Sequence, residues 1–185
     1  MPAISGTNSI KNLFALRIPS LIVLGWIAST ADAANLEGRV VGISDGDTIT
    51  ILDSENRQHK IRLSGIDAPE KAQAFGNRAR QHLVSLAFGK SVTVEWRKQD
   101  KYGRIVGKVL ANCDQPGCPQ DAGLEQLKAG MAWWYRKYAG EQSAEDRERY
   151  EAAEQAARDG KLGLWRDPKP VPPWDWRKQH REPAK

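Results

Sequence analysis

Three short stretches of this chain bring together side chains that suit metal and phosphate chemistry. In Ser44-Asp45-Gly46-Asp47-Thr48, two carboxylates flank a glycine at the entrance to a strand. Oxygen donors of this kind suit a hard cation such as Ca2+, which accepts carboxylates, backbone carbonyls and waters in a flexible shell. Asp-Gly is equally ordinary turn chemistry, and the other ligand positions of an EF-hand loop are missing, so this stretch alone leaves both readings open. The second stretch is Ile61-Arg62-Leu63-Ser64-Gly65-Ile66-Asp67-Ala68-Pro69-Glu70. If Ile61 and Leu63 face a core, strand alternation turns Arg62 to the opposite side, where its planar fork can meet phosphate oxygens. The competing reading is a surface arginine. Asp67 can join Asp47 on a metal, and Pro69 restricts the backbone that projects Glu70 towards a water near it.

The third stretch, Asp100-Lys101-Tyr102-Gly103-Arg104, is a polar turn that delivers Arg104 at the start of a strand. Two arginines on one phosphate would neutralise the charge that grows on its equatorial oxygens during attack.

Period-two alternation marks the elements that must carry these groups. Gly38 to Ile43, Thr48 to Leu52 and Gln58 to Leu63 read as hairpin-connected strands, with Ile49, Ile51, Ile61 and Leu63 on the apolar side. A helix is predicted from Asn77 to Ala87, with Ala79, Leu83, Leu86 and Ala87 on one face, ended by Gly89-Lys90. Strands resume with Val92, Val94 and Trp96, then Arg104 to Leu110. Two more helices are expected, Ala122 to Ala129 and Ala144 to Arg158. Ser143 caps the second, whose buried stripe would be Tyr150, Ala153 and Ala157. After Trp165, Pro168, Pro170, Pro172 and Pro173 are expected to stop regular structure, leaving residues 167–185 as a basic tail. Its Trp174 and Trp176 either stack on bases or pack against the domain.

With 185 residues, 40% hydrophobic and 28% charged, the chain suits one globular domain with its own core. Residues 1–33 read as a cleaved export signal: Lys11 and Arg17 precede an apolar stretch that closes on Ala31-Asp32-Ala33, and an uncleaved anchor is the alternative. The mature chain would be periplasmic or secreted, without stable membrane association. Without Lys11, Arg17 and Asp32 it keeps +4 of the formal +5, a charge that favours a polyanionic partner. In an exported protein, the two cysteines, Cys113 and Cys118, read as a disulfide. Two thiols without neighbouring ligands would not complete a zinc site.

Taken in order, Asp-Gly-Asp-Thr, Arg-Leu-x-Gly-Ile-Asp-Ala-Pro-Glu and Asp-Lys-Tyr-Gly-Arg closely resemble the staphylococcal nuclease (thermonuclease) family. Gly130-Met131-Ala132-Trp133 and Gly163-Leu164-Trp165 extend the resemblance over about residues 36–166, within a catalytic domain of residues 34–166. It implies an α+β fold, the OB-fold, a five-stranded Greek-key β-barrel with three helices. It implies Ca2+ on the carboxylates of Asp47 and Asp67 and the carbonyl of Ala68, where the family often has threonine. Arg62, Glu70 and Arg104 match its catalytic residues, Lys101 and Tyr102 match positions that hold a substrate phosphate, and Tyr135 matches a nearby aromatic. Lys71 to Phe75 is shorter than the mobile loop of the staphylococcal protein.

The implied activity is hydrolysis of DNA and RNA, preferably single-stranded, by a monomer, leaving 3′-phosphate and 5′-hydroxyl ends. A non-catalytic nucleic-acid-binding OB module is the rival reading. Such a module has no need for Asp47, Asp67, Arg62, Glu70 and Arg104 together.

Overall fold

The computed structural model describes residues 34–113 and 116–180. The expected export signal lies outside them. In chain order the elements are β1 (Ala34–Ile43), β2 (Thr48–Leu52), β3 (Gln58–Leu63), β4 (Ile66–Asp67), α1 (Gly76–Ala87), β5 (Ser91–Gln99), β6 (Ile105–Ala111), β7 (Gln120–Asp121), α2 (Ala122–Lys128), β8 (Trp133–Trp134), α3 (Ala144–Asp159) and α4 (Pro173–Gln179), with 3-10 turns at Arg136–Glu141 and Gly163–Arg166.

Alternation in the strands decides the architecture. Ile49, Ile51, Ile61, Val92, Val94 and Val109 point inward and are essentially fully buried, each contributing about 1.5–3 kcal/mol on transfer from water. Strands lie in the order β3-β2-β1-β5-β6-β7, and an additional parallel pairing of β3 with β6 closes the sheet into a five-stranded barrel. This is the expected OB-fold. Closure has a direct consequence for chemistry, because it sets Arg62 opposite Val106. Arg104 lies two residues before Val106, so alternation brings both arginines to one face of the barrel.

The helices α1, α2 and α3 pack on one another in sequence, with α1 against β1 and α2 against β6. Asp121 caps α2, accepting from the Gly123 and Leu124 amides at 3.0 and 3.2 Å, and also accepts the Tyr150 hydroxyl from α3 at 3.0 Å. Ser143 caps α3 as its sequence predicts, accepting from the Asp146 amide at 3.0 Å. Tyr150, Ala153 and Ala157 form the buried stripe. Cys113 and Cys118 are joined in a disulfide.

Beyond Trp165 the structure departs from the expectation of an irregular tail. Pro173 opens α4 in the first turn, where a missing amide hydrogen leaves no helical bond unmade, so the proline run starts a helix rather than preventing one. The barrel thus carries a fourth helix. Among the described residues no helix is long and apolar enough to cross a membrane.

Gly130 and Gly163 meet where the chain leaves α2 and α3. The Leu164 amide donates to the Gly130 carbonyl at 2.8 Å, and a Cβ on Gly163 would lie 2.2 Å from that oxygen, with φ at +51°. Gly163→Ala should therefore lower stability by at least about 2 kcal/mol through overpacking and backbone strain. Urea denaturation measures it, and an unchanged midpoint would contradict this account of the contact.

Candidate active site

The loop between β1 and β2 is fixed from below. Gly46 packs so tightly that a Cβ there would lie 2.7 Å from the Cβ atoms of both Ala68 and Ala79. Its carbonyl accepts from the Nε2 of Gln126, a fully buried side chain of α2, at 2.6 Å. The same Nε2 donates to the Ala79 carbonyl at 3.0 Å, so one amide ties the loop, α1 and α2 together. Asp47 follows directly, and its main-chain oxygen accepts from the Leu63 amide at 2.8 Å.

Asp47 and Asp67 are 3% and 0% exposed. Arg62 bridges them, donating from Nη1 to Asp47 Oδ1 at 3.0 Å and from Nη2 to Asp67 Oδ1 at 2.8 Å. Asp47 Oδ1 also accepts the Thr48 hydroxyl at 2.9 Å, and its Oδ2 accepts the Ala68 amide at 3.0 Å. Burial pushes the Asp47 carboxyl up from its ordinary range, and the Arg62 charge works against that rise. For Arg62, burial alone would lower the guanidinium pKa, but Asp47 and Asp67 outweigh it and hold the group far above its ordinary value.

Asp67 belongs to β4, whose pairing with β8 sets it opposite Trp133. Glu70 lies just beyond, in a turn where its amide donates to Gln73 Oε1 at 3.1 Å. A second guanidinium reaches both acids from α4. Arg177 donates from Nη2 to Asp67 Oδ2 at 2.6 Å and from Nη1 to Glu70 Oε1 at 2.6 Å.

Arg104 is held by Asp100, the residue that organises the turn. Asp100 accepts the Tyr102 and Arg104 amides on Oδ1 at 2.9 and 3.0 Å, and the Arg104 Nε on Oδ2 at 2.7 Å. Burial raises the Asp100 carboxyl pKa, but the Arg104 side chain and these amides bring it below its usual range. Arg62, Lys101, Tyr102, Arg104 and Tyr135 all line one groove of about 390 Å3. Lys101 and Arg104 flank the Tyr102 ring, which is 72% exposed. Tyr135 is less open, because Trp174 stacks on its ring with centroids 5.2 Å apart and planes 4° from parallel. The tail tryptophan therefore packs against the domain.

The structure thus brings together Asp47, Arg62, Asp67 and Ala68, sets Arg104, Lys101, Tyr102 and Tyr135 along the adjoining groove, and places Glu70 beside Asp67 through Arg177. Two contributors escape the sequence motifs. Gln126 is a polar residue between the buried Leu124 and Leu127, and that position in an apolar helix face is its only trace in the sequence. Arg177 has no comparable trace.

Two hard oxygen donors converge within reach of a single guanidinium. This donor set fits a divalent cation of the Ca2+ type held by two carboxylates, a carbonyl and water. Among the described residues no three Asp, Glu, His or Cys side chains are grouped so as to hold a metal by themselves.

The sequence profile described as "Staphylococcal nuclease homologue" matches residues 60–167. The chain is 43% identical over 171 residues to "Micrococcal nuclease" of Shigella flexneri, covering 90% of this chain and 94% of that protein. It is 41% identical over 167 residues to "Protein ParB" of Escherichia coli, covering 89% and 91%. An "Uncharacterized endonuclease" of Escherichia coli is 40% identical over 164 residues, covering 88% and 95%.

Removing Arg62 leaves two buried carboxylates with their shared counter-charge gone. Arg62→Met should destabilise the protein by about 3 kcal/mol, the lower end for breaking one side of a buried ion pair, since Arg177 still serves Asp67. Urea denaturation in excess chelator checks this. A loss well under 1 kcal/mol would mean that the bridge carries little of the burial.

Proposed function

The chain belongs to the staphylococcal nuclease family and is a phosphodiester hydrolase acting on nucleic acids, and from that premise we propose that it is a Ca2+-dependent, sugar-non-specific nuclease. We propose further that it cuts single-stranded regions of DNA and RNA as an exported monomer, leaving 3′-phosphate and 5′-hydroxyl ends. The observation that carries this reading is the convergence of Asp47, Asp67 and Arg62 beside a groove shared with Arg104, Lys101 and Tyr102.

Asp47, Asp67 and the Ala68 carbonyl would hold Ca2+, which when bound supplies Lewis-acid polarisation of the phosphate. The rest of the mechanism belongs to the side chains. Arg62 and Arg104 present guanidinium forks to the non-bridging oxygens, where negative charge grows as water attacks phosphorus. Asp100 holds Arg104 in orientation, so little reorganisation is required during the reaction. Glu70 accepts a proton of the attacking water as its oxygen bonds to phosphorus, the bond from phosphorus to the 5′ oxygen breaks, and that oxygen takes a proton from solvent water to become the 5′-hydroxyl. Lys101 and Tyr102 hold a neighbouring phosphate, and Tyr135 supports the strand along the groove.

Incubating the mature protein with single-stranded DNA and RNA, in Ca2+ or in excess chelator, tests the proposal. Cleavage should require Ca2+ on both substrates and yield ends that a 3′-phosphatase converts to substrates for polymerase extension. Undiminished cleavage in chelator would overturn the metal assignment, and 5′-phosphate ends would overturn the polarity of attack.

Arg104→Ala should lower kcat by roughly 10²–10³-fold, the loss expected for one preorganised donor to the developing charge. Glu70→Gln at saturating Ca2+ should retain nucleotide affinity and lose turnover by roughly 10²–10⁴-fold. Single-turnover kinetics resolve both effects. Normal turnover in Glu70→Gln would remove Glu70 from the proton transfer.

A further inference from the structure

The described C-terminal segment, residues 167–180, touches the site and its supporting turn at several points. Its Val171 carbonyl accepts the Gln73 Nε2 at 2.6 Å, in the turn that carries Glu70. Its Trp174 stacks on Tyr135 and meets Trp133 edge-on at 5.8 Å. Its Arg177 uses both oxygens of Asp67 and one of Glu70. Beneath it lies a cavity of about 170 Å3, lined by Pro69, Phe75, Trp133, Val171 and Trp176 among others.

Asp67 Oδ1 receives Arg62 at 2.8 Å and Arg177 at 3.2 Å, while Oδ2 receives Arg177 at 2.6 Å. Of about four lone-pair sites on Asp67, three are taken, two of them by Arg177, which leaves one for a cation, and on Glu70 Arg177 takes Oε1.

We propose that the C-terminal segment is an autoinhibitory strap, in which Arg177 stands in for the divalent cation on Asp67 and restrains Glu70 until cation and nucleic acid displace it. The inference rests on the Ca2+ site proposed above. Closed and open states make the apparent affinity for cation a product of intrinsic affinity and open fraction, so a site open about a tenth of the time binds roughly tenfold more weakly than a free one. Displacement also uncovers the Tyr135 ring for the substrate strand.

The test compares the full mature chain with Arg177→Ala and Trp174→Ala, measuring Ca2+ binding by titration calorimetry and amide hydrogen exchange in residues 173–179. Trp174→Ala keeps every charge, which separates release of the strap from the simple removal of a repelling cation. Both variants should bind Ca2+ several-fold to about tenfold more tightly than the unaltered chain. Ca2+ should speed exchange in residues 173–179 of the unaltered protein. Unchanged or weaker Ca2+ binding in both variants, with Asp67→Asn abolishing binding, would overturn the strap and leave the metal site standing. Tighter binding in Arg177→Ala alone, with exchange unaffected by Ca2+, would reduce Arg177 to a local charge and also overturn the strap. Absence of Ca2+ binding in all forms would overturn the metal site and, with it, the competition.

Discussion

Arg62 stands between two carboxylates that are both almost wholly removed from water, and the rest of the structure is arranged around that bridge. Two buried anions in one place are tolerable only with a counter-charge and with their remaining lone pairs satisfied. Thr48, the Ala68 amide and Arg177 supply the remaining hydrogen bonds. Arg62 must in turn leave the barrel wall at one particular point, which the antiparallel pairing with β2 and the parallel pairing with β6 determine. The closure of the barrel is thereby also the placement of the charge.

Rigidity is unequally distributed around this centre. Asp47 is fixed by Gln126 through Gly46, across 80 positions, and by the Leu63 amide of the neighbouring strand, both buried contacts. Arg104 depends instead on a local turn, in which one carboxylate organises two amides and the side chain it positions. Glu70 is held by an exposed turn and by a helix from the far end of the chain. Asp47 and Arg62 therefore sit on the core, Arg104 is preorganised by its own turn, and Glu70 alone depends on a distant helix.

Much of the barrel is legible in the sequence because Ile49, Ile51, Ile61, Leu63, Val92 and Val94 alternate with polar residues, and alternation is a local property of a strand with one buried face. The Ser143 cap and the stripe of Tyr150, Ala153 and Ala157 are local in the same way. The site motifs are legible because Arg62, Asp67 and Glu70 lie within nine residues, on and just after one strand. What is missed has partners far away: Gln126 meets Gly46 across 80 positions, and Arg177 meets Asp67 across 110. The two-residue strands β4 and β8 are too short to show a period. The proline run before α4 is ambiguous in sequence, since proline ends one helix and begins another by the same loss of an amide donor.

The central claim is that the carboxylates bridged by Arg62 are the metal-binding heart of a nuclease. It is tested most directly by single-turnover cleavage of a labelled single-stranded oligonucleotide by the double variant Asp47→Asn/Asp67→Asn, across a Ca2+ titration. The amides preserve size, but each replaces an acceptor oxygen by a donor nitrogen beside Arg62, so urea denaturation of the same variant separates lost chemistry from lost fold. The account predicts no cleavage above background at any Ca2+ concentration that saturates the unaltered protein. Cleavage at the unaltered rate, with the unaltered dependence on Ca2+, would contradict it.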